Sequence, residues 1–473
     1  MLKEHCGIIA IKDIDGRDVA QRIYEGLIAL QHRGQESAGI AVSSGNRITL
    51  LKNLGLVIEA IKFSDLKRLK GSAGIGHVRY STTGHSTIDE AQPMIYHTNI
   101  NNKEIYFGIA FNGTISNYHE LKRLLNKRGY RFHTDTDTEV LAALISYHWE
   151  STGDIFEALK ESMKDLDGAY SVVILTENGE IHAMRDPLGF KPLVLGKRDE
   201  IFIIASESAA INALGGELLR DIAPGEIVSI FDDDVFSKIV IRSNRRAHCM
   251  FEYIYFSRPD SVINGISVYD VRFRLGEILA ELYPIEADIV VPVPDTGVIA
   301  ALGYSRVSGI PVAMGLIRNP YVGRTFIKPS QTLRELSVQL KMGVVRRVIS
   351  DKRIVLIDDS IVRGTTIKWI IKLLRRAGAA EIHVRITCPP IRYPCYMGID
   401  FPMRRELIAS NHCVEEIRRI IGADSLGYMT VEGLIKAIGL GKNELCLACL
   451  TGEYPIKRAQ IPVLEKIFGG VRK

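Results

Sequence analysis

Two adjacent carboxylates at the end of a short apolar run are the first residues of this sequence that could do chemistry. The run Ile354–Ile357 is typical of a buried parallel strand, and Asp358 and Asp359 follow it directly. A turn of small residues then ends in Gly364–Thr366, where a helical pattern begins. Backbone N–H groups and hydroxyls at a helix start bind phosphate, and carboxylates accept hydrogen bonds from sugar hydroxyls. An acid pair alone is most often a solvated strand end, but the whole string indicates a sugar-phosphate site.

A cysteine near the start of the chain, Cys6, opens an apolar strand and could serve as a nucleophile. A lone cysteine in such a place is most often a small core residue. A thiolate, however, is the strong nucleophile that attack on an amide carbon needs. Four further motifs follow in order: His32-Arg-Gly-Gln-Glu-Ser-Ala-Gly39, Gly76-His-Val-Arg-Tyr-Ser-Thr-Thr-Gly84, Phe111-Asn-Gly113 and Thr136-Asp-Thr-Glu139.

These motifs together resemble the glutaminase domain of class II glutamine amidotransferases, which are N-terminal nucleophile hydrolases. The string Ile354–Thr366 resembles the 5-phosphoribosyl-1-pyrophosphate (PRPP) signature of type I phosphoribosyltransferases. With both sets, the chain resembles the amidophosphoribosyltransferase family over essentially its full length. The resemblance implies an enzyme of the first committed step of purine synthesis, in which glutamine, PRPP and water give 5-phosphoribosylamine, glutamate and pyrophosphate.

The resemblance implies the nucleophile and its surroundings in the N-terminal half. If Met1 to His5 are removed as a propeptide, Cys6 becomes the first residue. Its own α-amine, with an ordinary pKa of about 7.7–8.0, can then carry the proton, and no histidine partner is required. The Asn112 side chain and the backbone N–H of Gly113 would stabilise the negatively charged oxygen of the tetrahedral intermediate.

Glutamine itself would be bound through its charged α-groups. The resemblance places the α-carboxylate on Arg79 and the α-ammonium on Asp137, with Arg33 supporting the pocket. This charge-matched pair selects a free amino acid over a protein side chain. Three histidines beside the motifs are interpreted as structural hydrogen-bonding residues, since the α-amine already supplies the base: His32, His77 and His85.

In the C-terminal half, the resemblance places the ribose hydroxyls of PRPP and a nearby Mg²⁺ on Asp358 and Asp359. Adjacent carboxylates stabilise the oxocarbenium-like charge that develops at C1 when pyrophosphate leaves. Arg324 and Lys328 lie in a segment that resembles the family's closing PRPP loop, with an ordinary basic surface loop as the less favoured alternative. The 5-phosphate would contact the turn residues Ser360, Arg363, Gly364, Thr365 and Thr366.

Two positions depart from the family pattern. Val291–Thr296 matches the strand and turn on the pyrophosphate side, but Gly297 stands where the family often has a serine that contributes to the Mg²⁺ site. Pro320 stands where the closing loop usually has arginine. We therefore expect Mg²⁺ binding to depend more on the acid pair, and loop closure to differ.

Four of the seven cysteines form a further candidate site. Cys446 and Cys449 are spaced as in redox, zinc and structural motifs alike. By resemblance, Cys249 and Cys395 occupy the positions of the family's iron–sulfur branch, and four thiolates are what a [4Fe–4S] cluster requires. Zinc on four cysteines is the chemical alternative. Cys388 and Cys413 are left over and are expected to be buried thiols.

Size and composition bound these interpretations. The chain has 473 residues, 46% hydrophobic and 24% charged, which suits an enzyme of two or three domains. Its net charge of +5 is dispersed, which gives no case for nucleic-acid binding. No apolar run approaches the ~20 residues of a membrane span. Because seven cysteines without a targeting segment are more often thiols or metal ligands than disulfides, we expect a cytoplasmic protein.

The elements that must position these residues change character along the chain. Short β-like runs with intervening helices fill the first half, whereas strand and helix alternate from about residue 265. The resemblance implies an α+β N-terminal nucleophile hydrolase domain of four αββα layers, followed by an α/β type I phosphoribosyltransferase domain with a parallel sheet. The predicted divisions are a propeptide at 1–5, the glutaminase domain at 6–240, the phosphoribosyltransferase domain at 241–412, and a mostly helical cluster-bearing segment at 413–473.

Between the two domains, the resemblance implies an enclosed path, because free ammonia becomes ammonium at neutral pH and stops being a nucleophile. The segment Phe251–Asp260 resembles the family's coupling segment, and Tyr255 and Arg258 are candidate participants, although interdomain packing explains them equally well. Purine nucleotides as feedback inhibitors and a homotetramer are also expected by resemblance.

Two rival functions are weighed against the amidotransferase. Glutamine-dependent hexosamine synthesis requires sugar-isomerase domains in the second half, which the PRPP string excludes. A non-catalytic regulator that senses PRPP or nucleotides would have no use for a thiolate opposite an oxyanion hole, so Cys6 and its motifs disfavour it.

Overall fold

The N-terminal half forms two antiparallel sheets, and strands such as β1, β2, β4 and β7 are buried on both faces. The computed structural model describes residues 6–80, 87–232, 234–320, 342–399, 401 and 403–456. One sheet has seven strands in the order β11-β9-β10-β1-β4-β2-β3, and the other has six in the order β13-β12-β8-β7-β6-β5. The strands are β1 Gly7–Asp13, β2 Ser37–Ser43, β3 Ile48–Leu54, β4 Ala73–Arg79, β5 Met94–Ile100, β6 Lys103–Ile115, β7 Gly168–Thr176, β8 Ile181–Arg185, β9 Val194–Arg198, β10 Ile201–Ala205, β11 Glu217–Asp221, β12 Glu226–Ile230 and β13 Val235–Ile239.

Helices cover the outer face of each sheet. In β1, Ile9 and Ile11 pack toward the helices of the first sheet, whereas Ile8 and Ala10 belong to the core between the two sheets. This alternation is the period of two that a strand imposes. The predicted four-layer αββα arrangement is thereby confirmed. The helices are Ala20–Ala29, Val57–Ala60 and Ser208–Ala213 beside the first sheet, and Tyr118–Lys127, Asp137–Thr152 and Ile155–Asp165 beside the second.

The C-terminal half is built around a four-stranded parallel sheet in the order β17-β20-β21-β22. The strands of this half, of which six form separate two-stranded sheets, are β14 His248–Cys249, β15 Val262–Ile263, β16 Ile266–Ser267, β17 Ile289–Pro292, β18 Leu316–Arg318, β19 Met342–Val344, β20 Arg353–Asp358, β21 Glu381–Ile386, β22 Ser425–Tyr428 and β23 Leu445–Cys446. The described helices are Val268–Leu282, Gly297–Ser308, Arg346–Ile349, Thr365–Arg376, Ile408–Asn411, Val414–Ile421, Val431–Ile438 and Ala448–Thr451.

One strand of this sheet was not expected. Ser425–Tyr428 pairs in parallel with β21, so the sheet continues past residue 412, where the sequence had suggested that the domain ends. The strand is short and lacks an apolar run, and a Cβ at Gly427 would lie 2.7 Å from the ring of Tyr283. Only glycine fits this close approach, and because glycine has a low strand propensity, the sequence does not indicate a strand here.

The segment that joins the halves is exposed at Arg242–Arg246 and largely buried from Ala247 onward. After β13, the chain crosses to β14, which pairs in parallel with β23 and so contacts the C-terminal segment. Glu252–Phe256 then forms one helical turn whose residues are buried, except for the half-buried Tyr255. Among the residues that the structure describes, no helix is long and apolar enough to cross a membrane.

Candidate active site

The candidate nucleophile, Cys6, stands immediately before β1, near the middle of the seven-stranded sheet. It is half-buried, and its Sγ lies 3.6 Å from the carbonyl oxygen of Tyr80. Burial raises the pKa of the Cys6 thiol, while the contact with Tyr80 and the positive charge of Arg79 lower it. A thiol in this setting needs a base to become a nucleophile.

Asn112 and Gly113 lie on β6, in the opposite sheet. Asn112 is fully buried, and neither Nδ2 nor Oδ1 has a hydrogen-bond partner among the described residues. Gly113 has φ +152°, and a Cβ there would lie 1.9 Å from the carbonyl oxygen of Ala169, so only glycine fits. A buried amide without a partner costs free energy unless a ligand supplies the missing contact. The pair therefore suits a substrate that brings its own hydrogen-bonding atoms.

Arg79 and Asp137 carry opposite charges beside Cys6. Arg79 ends β4, is buried, and donates from Nη2 to Oε2 of Glu90 at 3.1 Å. Asp137 opens the helix Asp137–Thr152, and its Oδ2 accepts from the backbone N–H of Ile115 at 3.1 Å. Burial raises the pKa of Asp137 to about 6, although backbone hydrogen bonds and Arg79 oppose the shift. The structure thus brings Cys6, Arg79 and Asp137 within electrostatic reach of one another.

Arg33 lies behind the nucleophile and is engaged there by protein groups. Its Nε donates to the Cys6 carbonyl oxygen at 3.2 Å, its Nη1 to Glu207 at 2.5 Å, and its Nη2 to Glu252 at 2.8 Å. The side chain is 1% exposed. These contacts suit a residue that positions the Cys6 backbone better than one that holds glutamine. Sequence reasoning missed Glu207 and Glu252, because single carboxylates so distant along the chain carry no local signal.

His77 behaves as a structural residue in this geometry. It lies on β4 and is fully buried, with Nε2 3.1 Å from the carbonyl oxygen of Phe111, which precedes Asn112. Burial lowers the pKa of His77 to about 3, so its imidazole is neutral at physiological pH. A neutral ring that bridges the two sheets fits the structural interpretation.

The acid pair lies in a cavity of about 450 Å³ at the carboxyl end of β20. Asp358 ends the strand, and the turn from Ser360 to Thr366 forms the adjacent wall, as the sequence predicted. The opposite wall includes Tyr255 to Pro259 from the joining segment, and His32 and Gln35 from the glutaminase half. The two halves of the chain therefore share one cavity.

Hydrogen bonds fix the acid pair in place. Asp359 accepts from the hydroxyl of Ser360 at 2.5 Å and from the hydroxyl of Thr296, which lies at the end of the pyrophosphate-side turn. Burial and the neighbouring carboxylate raise the pKa of Asp358 well above its ordinary value, and burial also raises the pKa of Asp359. The positive charge of the buried Arg272 opposes this rise in the pKa of Asp359, and sequence reasoning missed Arg272. Two buried carboxylates side by side favour a ligand that brings positive charge or hydroxyl donors.

The helix Thr365–Arg376 begins directly at the cavity. Gly364 precedes it with φ +77°, a left-handed conformation that favours glycine, and the first N–H groups of a helix have no partner within the helix. Arg363 also lines the cavity, and its Nη2 forms an ion pair with Glu406 at 2.8 Å. At Gly297, a Cβ would lie 2.5 Å from the carbonyl oxygen of Ile357. The departure from serine therefore reflects close packing of a helix against β20.

The four predicted cluster cysteines line one small internal cavity, together with Lys191. Cys249 lies directly opposite Cys446 in the parallel pairing of β14 with β23. Burial raises the pKa of all four thiols, including Cys395 and Cys449. Among the described residues, no three His, Cys, Asp or Glu side chains are arranged to hold a metal ion. The sulfurs thus surround a space and do not converge on a point.

Several predictions fall outside the described residues: the propeptide at 1–5, His85, Arg324 and Lys328. Of the left-over cysteines, Cys388 is buried as expected. Cys413 is exposed, contrary to expectation, because it stands at the start of the surface helix Val414–Ile421.

Comparison with known proteins decides the family. A glutamine amidotransferase domain matches residues 77–213, and a phosphoribosyl transferase domain matches residues 263–393. The amidophosphoribosyltransferase of Methanocaldococcus jannaschii is 49% identical, over 98% of this chain and 99% of the relative. That of Bacillus subtilis is 45% identical, over 98% of this chain and 97% of the relative. The chain belongs to the amidophosphoribosyltransferase family.

Solved structures agree with this membership. The B. subtilis glutamine PRPP amidotransferase complexed with ADP and GMP is 44% identical, with a TM-score of 0.88 over 96% of this chain and 98% of that one. A structure described as the allosteric regulatory enzyme of purine biosynthesis is 44% identical, with a TM-score of 0.90 over 98% of both chains. As a member of this family, the protein is a pentosyltransferase of purine biosynthesis, which uses glutamine to aminate PRPP.

Proposed function

We propose that glutamine is hydrolysed at Cys6 and that its ammonia reacts with PRPP held at Asp358 and Asp359. The observation that carries this assignment is the cavity with walls from both halves, since the acid pair shares it with His32 and Gln35. Ammonia released in the glutaminase half can then reach C1 of PRPP through the protein interior. In bulk water it would become ammonium and lose its nucleophilic lone pair.

In the glutaminase half, the Cys6 sulfur attacks the side-chain amide carbon of glutamine, once removal of residues 1–5 has freed its α-amine. The amine takes the thiol proton and passes it to the departing ammonia, and water then hydrolyses the thioester to glutamate. The amide of Asn112 and the backbone N–H of Gly113 donate to the oxyanion. The unpartnered, fully buried amide of Asn112 supports this role.

Glutamine is held by Arg79 at its α-carboxylate and by Asp137 at its α-ammonium. The buried position and opposite charges of the two residues beside the thiol support the assignment. For Arg33, which the resemblance implies supports the glutamine pocket, we propose that the support consists of positioning the Cys6 backbone. Its bond to the Cys6 carbonyl oxygen and its two carboxylate partners support that role.

In the PRPP half, the carboxylates of Asp358 and Asp359 accept from the ribose hydroxyls and stabilise positive charge at C1. The 5-phosphate binds the turn Ser360–Thr366 and the first N–H groups of the helix. A bound Mg²⁺ would neutralise the leaving pyrophosphate, and a buried like-charged pair fits a cation of this kind. Arg324 and Lys328 remain predicted contacts of the pyrophosphate.

We propose that Cys249, Cys395, Cys446 and Cys449 hold a [4Fe–4S] cluster with a structural role. The fit is supported by four thiols around one space, of which those of Cys446 and Cys449 are buried and those of Cys249 and Cys395 half-buried. The backbone N–H of Met397 donates to the Cys395 sulfur at 3.3 Å, a contact that also stabilises a thiolate. The cluster would tie β14 to the C-terminal segment.

The wider properties of the enzyme are proposals on the same basis. The relative solved with ADP and GMP supports purine nucleotides as feedback inhibitors. The family resemblance supports a homotetramer. The free cysteines support a cytoplasmic location. We keep the domain divisions at 1–5, 6–240 and 241–412, but extend the phosphoribosyltransferase domain through β22.

The test is the substitution Cys6→Ala, with pyrophosphate release measured once with glutamine and once with ammonia. We expect the variant to lose the glutamine-dependent reaction and to keep the ammonia-dependent one. Cys413→Ala, at an exposed cysteine, is the matched control and should keep both. Loss of both activities in Cys6→Ala, with the fold intact, would refute two separable sites.

A further inference from the structure

His32 belongs to the glutaminase half, yet its imidazole lines the PRPP cavity. Its Nε2 lies 2.7 Å from Oε1 of Glu207, and its side chain is 28% exposed while that of Glu207 is fully buried. An ionised carboxylate can only accept a hydrogen bond, so Nε2 carries the proton. The remaining ring nitrogen, Nδ1, is left with the lone pair.

Hydrogen bonds hold the Glu207 carboxylate in place and keep it ionised, as an acceptor for His32 Nε2 must be. Oε1 also accepts from Arg33 at 2.5 Å, and Oε2 accepts from the backbone N–H of Arg258 at 2.9 Å and from the hydroxyl of Ser261 at 2.8 Å. Burial raises the pKa of Glu207, but His32 and Arg33 outweigh it and hold that pKa well below its ordinary range. The carboxylate therefore stays charged and orients the imidazole from behind.

The reaction in this cavity releases a proton that needs an acceptor. When ammonia attacks C1 of PRPP, the new C–N bond forms as the bond from C1 to pyrophosphate breaks, and the bonding pair leaves with pyrophosphate. The nitrogen then carries three hydrogens and a positive charge. An ammonium group on C1 is itself a leaving group, whereas a neutral amine is a poor one. Removal of one proton inside the site thus commits the new bond.

We propose that His32 Nδ1 accepts this proton, with Glu207 as the positioning residue that stabilises the resulting imidazolium. The N–H bond of the product breaks, its electron pair stays on nitrogen, and neutral 5-phosphoribosylamine is left. Imidazole is suited to the task because it exchanges protons near neutral pH. The inference rests on the proposed function, since it places ammonia and PRPP in this cavity.

Other charged groups surround His32 and Glu207. Arg33 and Glu207 face His32 from the glutaminase half, and the backbone of Arg258 contacts Glu207 from the joining segment. The remaining charged side chains of the cavity wall are Arg258, Arg272, Asp295, Arg318, Asp358, Asp359 and Arg363.

The test is His32→Gln, assayed for ammonia-dependent pyrophosphate release at a fixed concentration of free NH₃ and for glutamine hydrolysis. We expect the ammonia-dependent kcat to fall by about 10² or more. Added imidazole should restore part of the rate, and glutamine hydrolysis should remain. The matched control is His97→Gln. Like His32, His97 lies beside a glutamate, with Nε2 3.9 Å from Oε1 of Glu104, but its side chain is exposed and lies outside the cavity.

An ammonia-dependent rate equal to that of the unmodified enzyme would overturn the proposal. So would a parallel fall in glutamine hydrolysis, or a loss of rate that imidazole does not recover, since either result indicates a purely structural role. The ammonia assay bypasses Cys6. Failure of this proposal is therefore distinguishable from failure of the thiol chemistry.

Discussion

The substitution Asn112→Ala separates catalysis from stability in the glutaminase half. In most buried sites, truncating an amide breaks hydrogen bonds and destabilises the fold. Here neither amide atom of Asn112 has a partner among the described residues, although the side chain is fully buried. A buried polar group without partners costs about 1–3 kcal/mol. Its removal should offset the packing lost, so the free energy of unfolding should change little or rise.

Catalysis should respond very differently. Loss of one oxyanion donor typically lowers kcat by about 10²–10³, or about 2.7–4 kcal/mol of transition-state stabilisation. We expect a fall of that size in glutamine-dependent pyrophosphate release, with the ammonia-dependent reaction unchanged. Denaturant unfolding measured on the same preparation supplies the stability. Unchanged glutamine turnover in a variant destabilised by several kcal/mol would refute the reasoning, because it would make Asn112 a structural residue.

Three further predictions concern neighbouring positions. Gly113→Ala should lower the free energy of unfolding by at least about 1–3 kcal/mol, since its Cβ would meet the carbonyl oxygen of Ala169; normal stability in calorimetry would contradict this. Because the pKa of Asp137 is raised to about 6, its negative charge is present above that pH and lost as pH falls through it. The KM for glutamine should therefore rise at acid pH, whereas Asp137→Asn should show a high KM without that inflection. Gly297→Ser should lower the free energy of unfolding by about 1–3 kcal/mol, because the added Cβ collides with the carbonyl oxygen of Ile357. The same collision should weaken PRPP binding, which calorimetric titration with PRPP measures.

Local patterns in the sequence were enough to predict the strands and helices that carry the motifs. Ile354–Ile357 is a continuous apolar run and forms the central strand β20, and the helix after it begins at Thr365. By contrast, β22 could not be predicted, because the four residues Ser425–Tyr428 contain no apolar run and Gly427, which packs closely against the ring of Tyr283, has a low strand propensity. The end of the parallel sheet was therefore misplaced.

Long-range electrostatics explains the rest of what sequence reasoning missed. Arg33 meets Glu207 and Glu252, which lie in segments far apart along the chain, so their pairing is visible only in the folded structure. From the sequence, His32 is interpreted as structural because the α-amine of Cys6 already supplies the base. The fold places His32 in the wall of the cavity that holds Asp358 and Asp359, and no spacing rule within one domain could reveal that.

The most direct test of the account starts from fully active enzyme, which is reacted with an electrophilic glutamine analogue. The intact mass of the reacted protein is then measured. We predict a chain that begins at Cys6 and carries one adduct on that residue, with ammonia-dependent activity retained. An unreacted Cys6 preceded by Met1 to His5, in enzyme that uses glutamine at full rate, would contradict the central claim.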